Sequence, residues 1–224
     1  MIIAIDGPTA AGKGTIAVGL ARYFGLAFLD TGRLYRATAL VLLENNMNSD
    51  SEDDAERAAL SLQNANLYEL TEKKAIRDEK TGMLASKISA MPGVRKALFD
   101  VQRNFAVSPY LRDGSKAKGA VLDGRDIGSV ICPDADVKFF VTAKSEIRAE
   151  RRFKELQEKG KSVTYEQVLE DLIKRDEQDE KRQQAPLKPA KDAIILDNSS
   201  LDISSATAEA IRLADERIGK KLFG

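Results

Sequence analysis

The stretch Met1-Ile2-Ile3-Ala4-Ile5-Asp6-Gly7-Pro8-Thr9-Ala10-Ala11-Gly12-Lys13-Gly14-Thr15 decides the fold. Its first six residues form a short apolar, β-rich run that reads as a buried strand, and residues 14–24 carry a helix-like pattern. A strand, a glycine-framed turn and a helix start in that order make a phosphate-binding loop. Gly7 and Gly12 let the backbone turn tightly and come close to a polyphosphate, and the amides of residues 9–14 can point at its oxygens. Lys13 adds a point charge near the transferable phosphate. The candidate phosphate cradle is therefore Gly7, Pro8, Thr9, Ala10, Ala11, Gly12, Lys13, Gly14 and Thr15. The strict motif asks for Ser or Thr directly after the lysine; here Gly14 stands there and the hydroxyl comes one residue later, at Thr15.

Composition narrows the chemistry. The 224 residues suit one large domain, or a core with a modest insertion. Acidic and basic residues balance at 35 each, so bulk charge argues for neither a nucleic-acid nor a membrane partner. No apolar stretch approaches the ~20 residues of a membrane span. A strand beginning at Met1 leaves no room for a signal peptide, so a cytoplasmic chain is expected. The lone Cys132 has no internal disulfide partner and reads as a small buried apolar residue. Histidine is absent, which removes imidazole acid–base catalysis and most zinc sites. Chemistry must then run on phosphates, carboxylates, Lys and Arg.

Short apolar runs at 2–6, 27–29, 119–122, 137–141 and 193–196 alternate with helix-like segments at 14–24, 33–45, 93–107, 145–159 and 165–182. This predicts an α/β fold: a parallel sheet with helices on both faces and ligands at the carboxyl ends of the strands. Residues 46–92 break the rhythm, with a helix-like run at 52–62, short fragments near 67–70 and 74–77, and another helix-like stretch near 83–90 before Met91-Pro92-Gly93. They read as a small insertion on a core made of residues 1–45 and 93–224.

Three further segments carry chemistry. Ala120-Val121-Leu122-Asp123-Gly124-Arg125-Asp126 ends a strand in acids and a guanidinium; Asp123 suits Mg²⁺, directly or through water, beside the loop lysine. On the segment from Thr164 to Arg182, Thr164 and Gln167 suggest a capping box, and Arg175, Asp179 and Arg182 share one helix face. Arg148, Arg151 and Arg152 lie on the preceding helix. The Gly160-Lys161-Ser162 turn between the two helices predicts an arginine-bearing helical lid over about 148–185. Asp30-Thr31-Gly32-Arg33-Leu34-Tyr35-Arg36 follows the second strand, where Thr31 can cap a helix and Arg36 lies one turn in.

Together these residues resemble the bacterial cytidylate kinases, members of the nucleoside monophosphate kinase-like P-loop proteins. The likeness rests on Gly7-Pro8 through Lys13-Gly14-Thr15, Asp30-Thr31-Gly32 with Tyr35-Arg36, Asp123-Gly124-Arg125-Asp126, Pro133-Asp134-Ala135, and Arg175-Asp176 through Ala185-Pro186-Leu187. The Lys-Gly-Thr ending is similar to that of monophosphate kinases rather than of GTPases or motor ATPases.

The resemblance implies γ-phosphate transfer from ATP to CMP or dCMP with Mg²⁺. It places Lys13, Asp123, Arg125, Arg175 and Arg182 in catalysis, and Arg151 and Arg152 on the ATP side with the loop. Arg36, Arg125 and Arg182 would hold the CMP phosphate, with Thr31 nearby; Arg175 and Asp179 would face the sugar and phosphate. Ser86, Arg95 and Asp126 would read cytosine, and Thr15 and Asp123 would serve the metal. Thr31 stands where serine is common. The insertion looks shorter than in many members, so its small sheet is expected to be trimmed. The implied partners are small molecules, with no nucleic acid or membrane, and a monomer is expected. A kinase for UMP or AMP, or a non-catalytic nucleotide switch, is the alternative.

Overall fold

The computed structural model describes all residues except Asn64, Gln183 and Gly224, and all side chains except those of residues 221–223 as well. In chain order the elements begin β1 Ile2–Asp6, α1 Lys13–Phe24, β2 Ala27–Asp30, α2 Thr31–Glu44, α3 Glu52–Leu60 and α4 Leu67–Glu72. A 3₁₀ turn at Lys74–Arg77, α5 Glu79–Ile88, α6 Pro92–Val107, β3 Ala120–Asp123 and a π-turn at Ile127–Ile131 follow. The chain then runs through β4 Val137–Thr142, α7 Ser145–Glu158, α8 Tyr165–Glu180, β5 Ile194–Asp197 and α9 Ile203–Phe223. The predicted strands and main helices are all present, with ends shifted by a residue or two.

The chain divides into two compact units, Met1–Phe28 with Ala120–Gly224, and Leu29–Gly119. The first is built on the five-stranded sheet of order β2-β3-β1-β4-β5, in which β3, β1, β4 and β5 run parallel. Parallel strands bury both faces, and every residue of β3 is buried. On one face Ile3, Ile5, Val121, Val137, Phe139 and Val141 pack with Ile16, Leu20 and the Ala206, Ala210 and Ala214 stripe of α9. That stripe and Gly19 let α1 and α9 approach closely: a Cβ at Gly19 would lie 2.3 Å from Thr207 Cγ2. The opposite face of β1 carries the π-turn. In the α7–α8 pair, Ala149, Val168 and Leu172 form a small core of their own. The predicted capping box is present, with the Thr164 hydroxyl accepting from Gln167 N and the Gln167 side chain accepting from Thr164 N.

The second unit is helical. α2 packs against α3, α4, α5 and the 3₁₀ turn, and α3 against α6. Ser51 caps α3, whose first turn holds Glu52, Asp53 and Asp54, and Asn66 caps α4. Pro92 opens α6 as the sequence suggested. The unit is wider than residues 46–92, because the apolar faces of α2 and α6 are spent on α5 and α3. Its only β pairing among the described residues is an isolated bridge between Tyr110 and Lys116, which lies outside residues 46–92, so no sheet stands among the described residues of the insertion.

Gly7 fixes how β1 turns into the loop. Its φ is 145°, and a Cβ there would lie 2.0 Å from the Val141 carbonyl oxygen. Both the dihedral and the space admit glycine alone. Gly7→Ala is expected to lower stability by more than about 3 kcal/mol in urea denaturation; an unchanged midpoint would mean that β4 does not press on this turn.

Candidate active site

The loop after β1 turns through three left-handed residues, Gly7 at φ 145°, Ala10 at 60° and Gly12 at 92°. Such alternation curls successive N–H groups into an anion-binding concavity. Gly12 caps α1 and has no side chain to accept from the first amides of the helix, a position where an anion is favoured. The Lys13 ammonium is buried, donates to Pro8 O at 2.8 Å and lies 3.9 Å from Asp123 Oδ1. A Cβ at Gly14 would lie 3.5 Å from Asp123 Oδ2, whereas Thr15 is exposed. Asp123 thus meets the bare face of residue 14, and the hydroxyl of Thr15 stands about 100° further round the helix.

Thr9 joins the loop to two arginines. Its hydroxyl accepts from Arg125 Nη2 at 2.8 Å, and its carbonyl from Arg148 Nη1 at 3.2 Å. Arg125 Nε also donates to Asp179 Oδ2 at 2.8 Å, while Arg182 pairs with Asp179 Oδ1. Asp179 is 2% exposed, so a buried carboxylate on α8 holds two guanidinium groups side by side. Arg175 stands half-buried one turn before it on the same helix. The structure thus joins Thr9 of the loop to Arg125, Asp179 and Arg182, of which helix spacing had linked only the last two.

The arginines of α7 face elsewhere. Arg148, 4% exposed, donates to Ala143 O, Thr9 O and Ser145 Oγ and forms an ion pair with Asp176 at 2.7 Å. With these acceptors it pins α7 to the loop and to α8, and it is not an exposed lid arginine. Arg151 donates to the carbonyls of Asn198 and Leu201 at 2.8 and 3.1 Å, and Arg152 pairs with Glu155 one turn along α7.

Two residues that the sequence marks only as standing at strand ends have structural roles at the loop. Asn198, just past β5, donates from Nδ2 to Ala11 O at 2.9 Å and from its backbone N to Thr142 O at 2.7 Å, bracing the loop against the sheet. Asp6 ends β1; its carboxylate accepts from Ile127 N at 2.7 Å and Gly128 N at 2.8 Å, fixing the turn that follows Asp126. Both sit at strand ends, the position that marks candidate ligand loops, but their own types announce no chemistry. Burial pushes the Asp6 carboxyl up to about 7; the Asp126 and Asp123 carboxylates add to the rise, and the two backbone donors oppose it. Asp126 itself is buried, and its carbonyl accepts from Val130 and Ile131 N to close the π-turn.

In the second unit, α2 is capped by Asp30, not by Thr31. The Asp30 side chain accepts from Arg33 N at 3.3 Å and Arg33 Nε at 3.1 Å. The helix starts two residues before the 33–45 pattern and its cap one residue before Thr31, so Thr31 falls inside the first turn and is buried. Arg36 Nη1 donates to Ile76 O at 3.0 Å. Arg95 Nη1 lies 3.4 Å from Ser89 O and 3.5 Å from Tyr35 OH. Ser86 is half-buried on α5, and its carbonyl accepts from Ser89 Oγ. Among the described residues no cluster of three or more acidic, Cys or His side chains is arranged to hold a metal.

A parallel sheet whose first strand runs into a left-handed, lysine-bearing turn defines a P-loop nucleotide-binding protein. The sequence signature described as cytidylate kinase matches residues 3–216. The chain belongs to the cytidylate kinase family. It is 49% identical to the "Cytidylate kinase" of Xanthobacter autotrophicus, over 97% of this chain and 98% of that one. It is 50% identical to that of Paramagnetospirillum magneticum, over 94% and 95%. Among solved structures, an uncharacterized protein from Eubacterium ventriosum shares the fold with a TM-score of 0.50 at 14% identity, over 96% of this chain and 98% of that one.

The raised Asp6 value has a consequence for stability. The folded state keeps a proton that the unfolded chain, at 3.8, has released, so this contribution is full below 3.8 and is lost as pH rises through about 7. In chelator-containing buffer, the Tm of the wild type relative to Asp6→Asn should decline between pH 3.8 and about 7 and then level off. A difference that grows with pH over that window would show a carboxyl of ordinary or lowered acidity.

Proposed function

We propose that the chain transfers the γ-phosphate of ATP to CMP or dCMP, giving ADP and CDP or dCDP. The observation that carries the reading is the pairing of Arg125 and Arg182 on buried Asp179, with Arg125 also bonded to Thr9 of the phosphate loop. It puts cations meant for a second phosphate next to a loop suited to the first. The roughly 50% identity to proteins named cytidylate kinase supports the same acceptor.

The reaction needs little from side chains beyond position and charge. An oxygen of the acceptor phosphate is already a nucleophile, so no general base is required. It forms the new bond to the γ-phosphorus in line as the bond to the β-bridging oxygen breaks, and the electron pair leaves with ADP. The amides of residues 9–14 hold the donor phosphates, and Lys13 shifts its charge from Pro8 O and Asp123 toward them. Arg125, Arg175 and Arg182 neutralise the equatorial oxygens, with Asp179 keeping two of the guanidinium planes in place. Arg151 and Arg152 are assigned to the ATP side of the first unit.

Mg²⁺ fits this set, because a hard cation of this kind takes one or two carboxylates and completes its shell with phosphate oxygens and water. Asp123, facing the bare side of Gly14, would supply one carboxylate, and the Thr15 hydroxyl would be the second donor. When bound with ATP, the ion supplies positive charge to the phosphate oxygens.

In the second unit Arg36 is assigned to the acceptor phosphate, with Thr31 in support, and Ser86 and Arg95 to the base. Asp126 is assigned to the cytosine N4 amino group, a donor that a carboxylate accepts; uracil presents O4 instead. The same reading makes the protein a monomeric cytoplasmic enzyme with small-molecule partners.

A steady-state panel of CMP, dCMP, UMP and AMP with ATP tests the reading. CMP and dCMP are expected to exceed UMP in kcat/KM by about tenfold or more, the effect of leaving a buried acceptor unpaired. Equal turnover of all four would overturn the cytosine assignment. Asp126→Ala should narrow the CMP-to-UMP ratio and leave the KM for ATP nearly unchanged; collapse of ATP binding with base preference intact would remove Asp126 from this role.

A further inference from the structure

Gly82 stands in the interior of α5, where glycine is the least favourable residue short of proline. Nothing in its backbone asks for glycine. It lies outside the positive-φ residues, and its N–H makes an ordinary helical bond to Asp78 O at 2.9 Å. What it faces is the end of the Arg36 side chain. A Cβ at residue 82 would lie 2.7 Å from Nη1, 2.8 Å from Nη2 and 3.0 Å from Cζ. The guanidinium points its Nη1–Nη2 end at the missing side chain, and from there Nη1 donates to Ile76 O at 3.0 Å.

We infer that Gly82 is a positioning residue for the acceptor-phosphate arginine: the bare turn of α5 is the seat that sets the orientation of the Arg36 guanidinium. This rests on the assignment of Arg36 to the acceptor phosphate. The clash that a methyl group creates here is with the far end of a flexible side chain and not with backbone. An alanine at 82 is therefore accommodated by swinging the guanidinium away, while α5, α2 and the 3₁₀ turn keep their places. Folding and acceptor binding then come apart, because alanine improves the helix and damages only the aim of one cation. A larger side chain at the same position would push the guanidinium further.

The test compares wild type, Gly82→Ala, Arg36→Ala and the double variant by thermal denaturation and by KM for CMP and for ATP. Gly82→Ala is expected to leave Tm unchanged or higher and to raise the KM for CMP about tenfold, the scale of one lost charge-assisted hydrogen bond. Its KM for ATP should stay within about twofold of wild type, and in the Arg36→Ala background it should add less than about twofold to the CMP effect. If Arg36→Ala raises the KM for CMP while Gly82→Ala does not, the inference fails and the reading of Arg36 stands. If Arg36→Ala leaves the KM for CMP unchanged, the reading of Arg36 fails and the inference with it. A lowered Tm with both KM values raised would make Gly82 merely structural and overturn the inference.

Discussion

The close passage of the Val141 carbonyl over Gly7 is the constraint on which the first unit depends. It forces the chain leaving β1 into a conformation only glycine holds, and the turn that follows can then curl through Ala10 and Gly12 into α1. Every group of this unit proposed to meet the donor phosphates is placed by that start: the concave row of amides, the buried Lys13 behind it, and Asp123 opposite the bare face of Gly14. Asn198 closes the arrangement from the far strand by holding the Ala11 carbonyl down. Ala10, left-handed without being glycine, stores modest strain in the middle of the loop, as ligand-binding loops commonly do.

Buried charge sorts the arginines into two kinds. Arg148 is surrounded by protein acceptors and paired with Asp176, so its charge is fully used in tying α7 to α8 and to Thr9. Removing one partner from such a pair leaves an uncompensated ion, which is costly, whereas the intact pair adds little net stability. Arg125 and Arg182 differ because they share a single carboxylate. Asp179 holds both guanidinium groups beside the loop, where the proposed function puts an anion. Asp179 therefore serves less as a brace for the fold than as a template for two guanidinium groups.

Much of this was legible in the sequence, and the reasons are specific. The strands were readable because parallel strands buried on both faces become short, nearly continuous apolar runs, as in residues 2–6 and 137–142. The loop was readable because Gly7, Gly12 and Lys13 each meet a separate physical need at fixed spacing. The grouping of Arg125, Asp179 and Arg182 came through in part, since helix periodicity linked only the last two. Asp6 and Asn198 stayed hidden because their roles lie in long-range bonds to backbone, 121 and 187 residues away, which no local pattern encodes. The cap of α2 was misplaced by one residue because both Asp30 and Thr31 are good caps and sequence does not choose between neighbours. The extent of the second unit was blurred for a related reason: the periodicity of α2 and α6 shows that each has an apolar face, but not which neighbour receives it.

The alanine stripe of α9 has a further consequence. The small side chains of α9 at 206, 210 and 214 and the absent one at Gly19 set how near it lies to α1. α1 is the rod that carries Lys13 and the first amides at its tip. Widening the seam at its shaft would tilt that tip, so under the proposed function a helix–helix contact on the far side of the sheet from Asp6 bears on how the donor is held. On that reading, substitutions along α9 would reach the phosphate loop through the tilt of α1 alone.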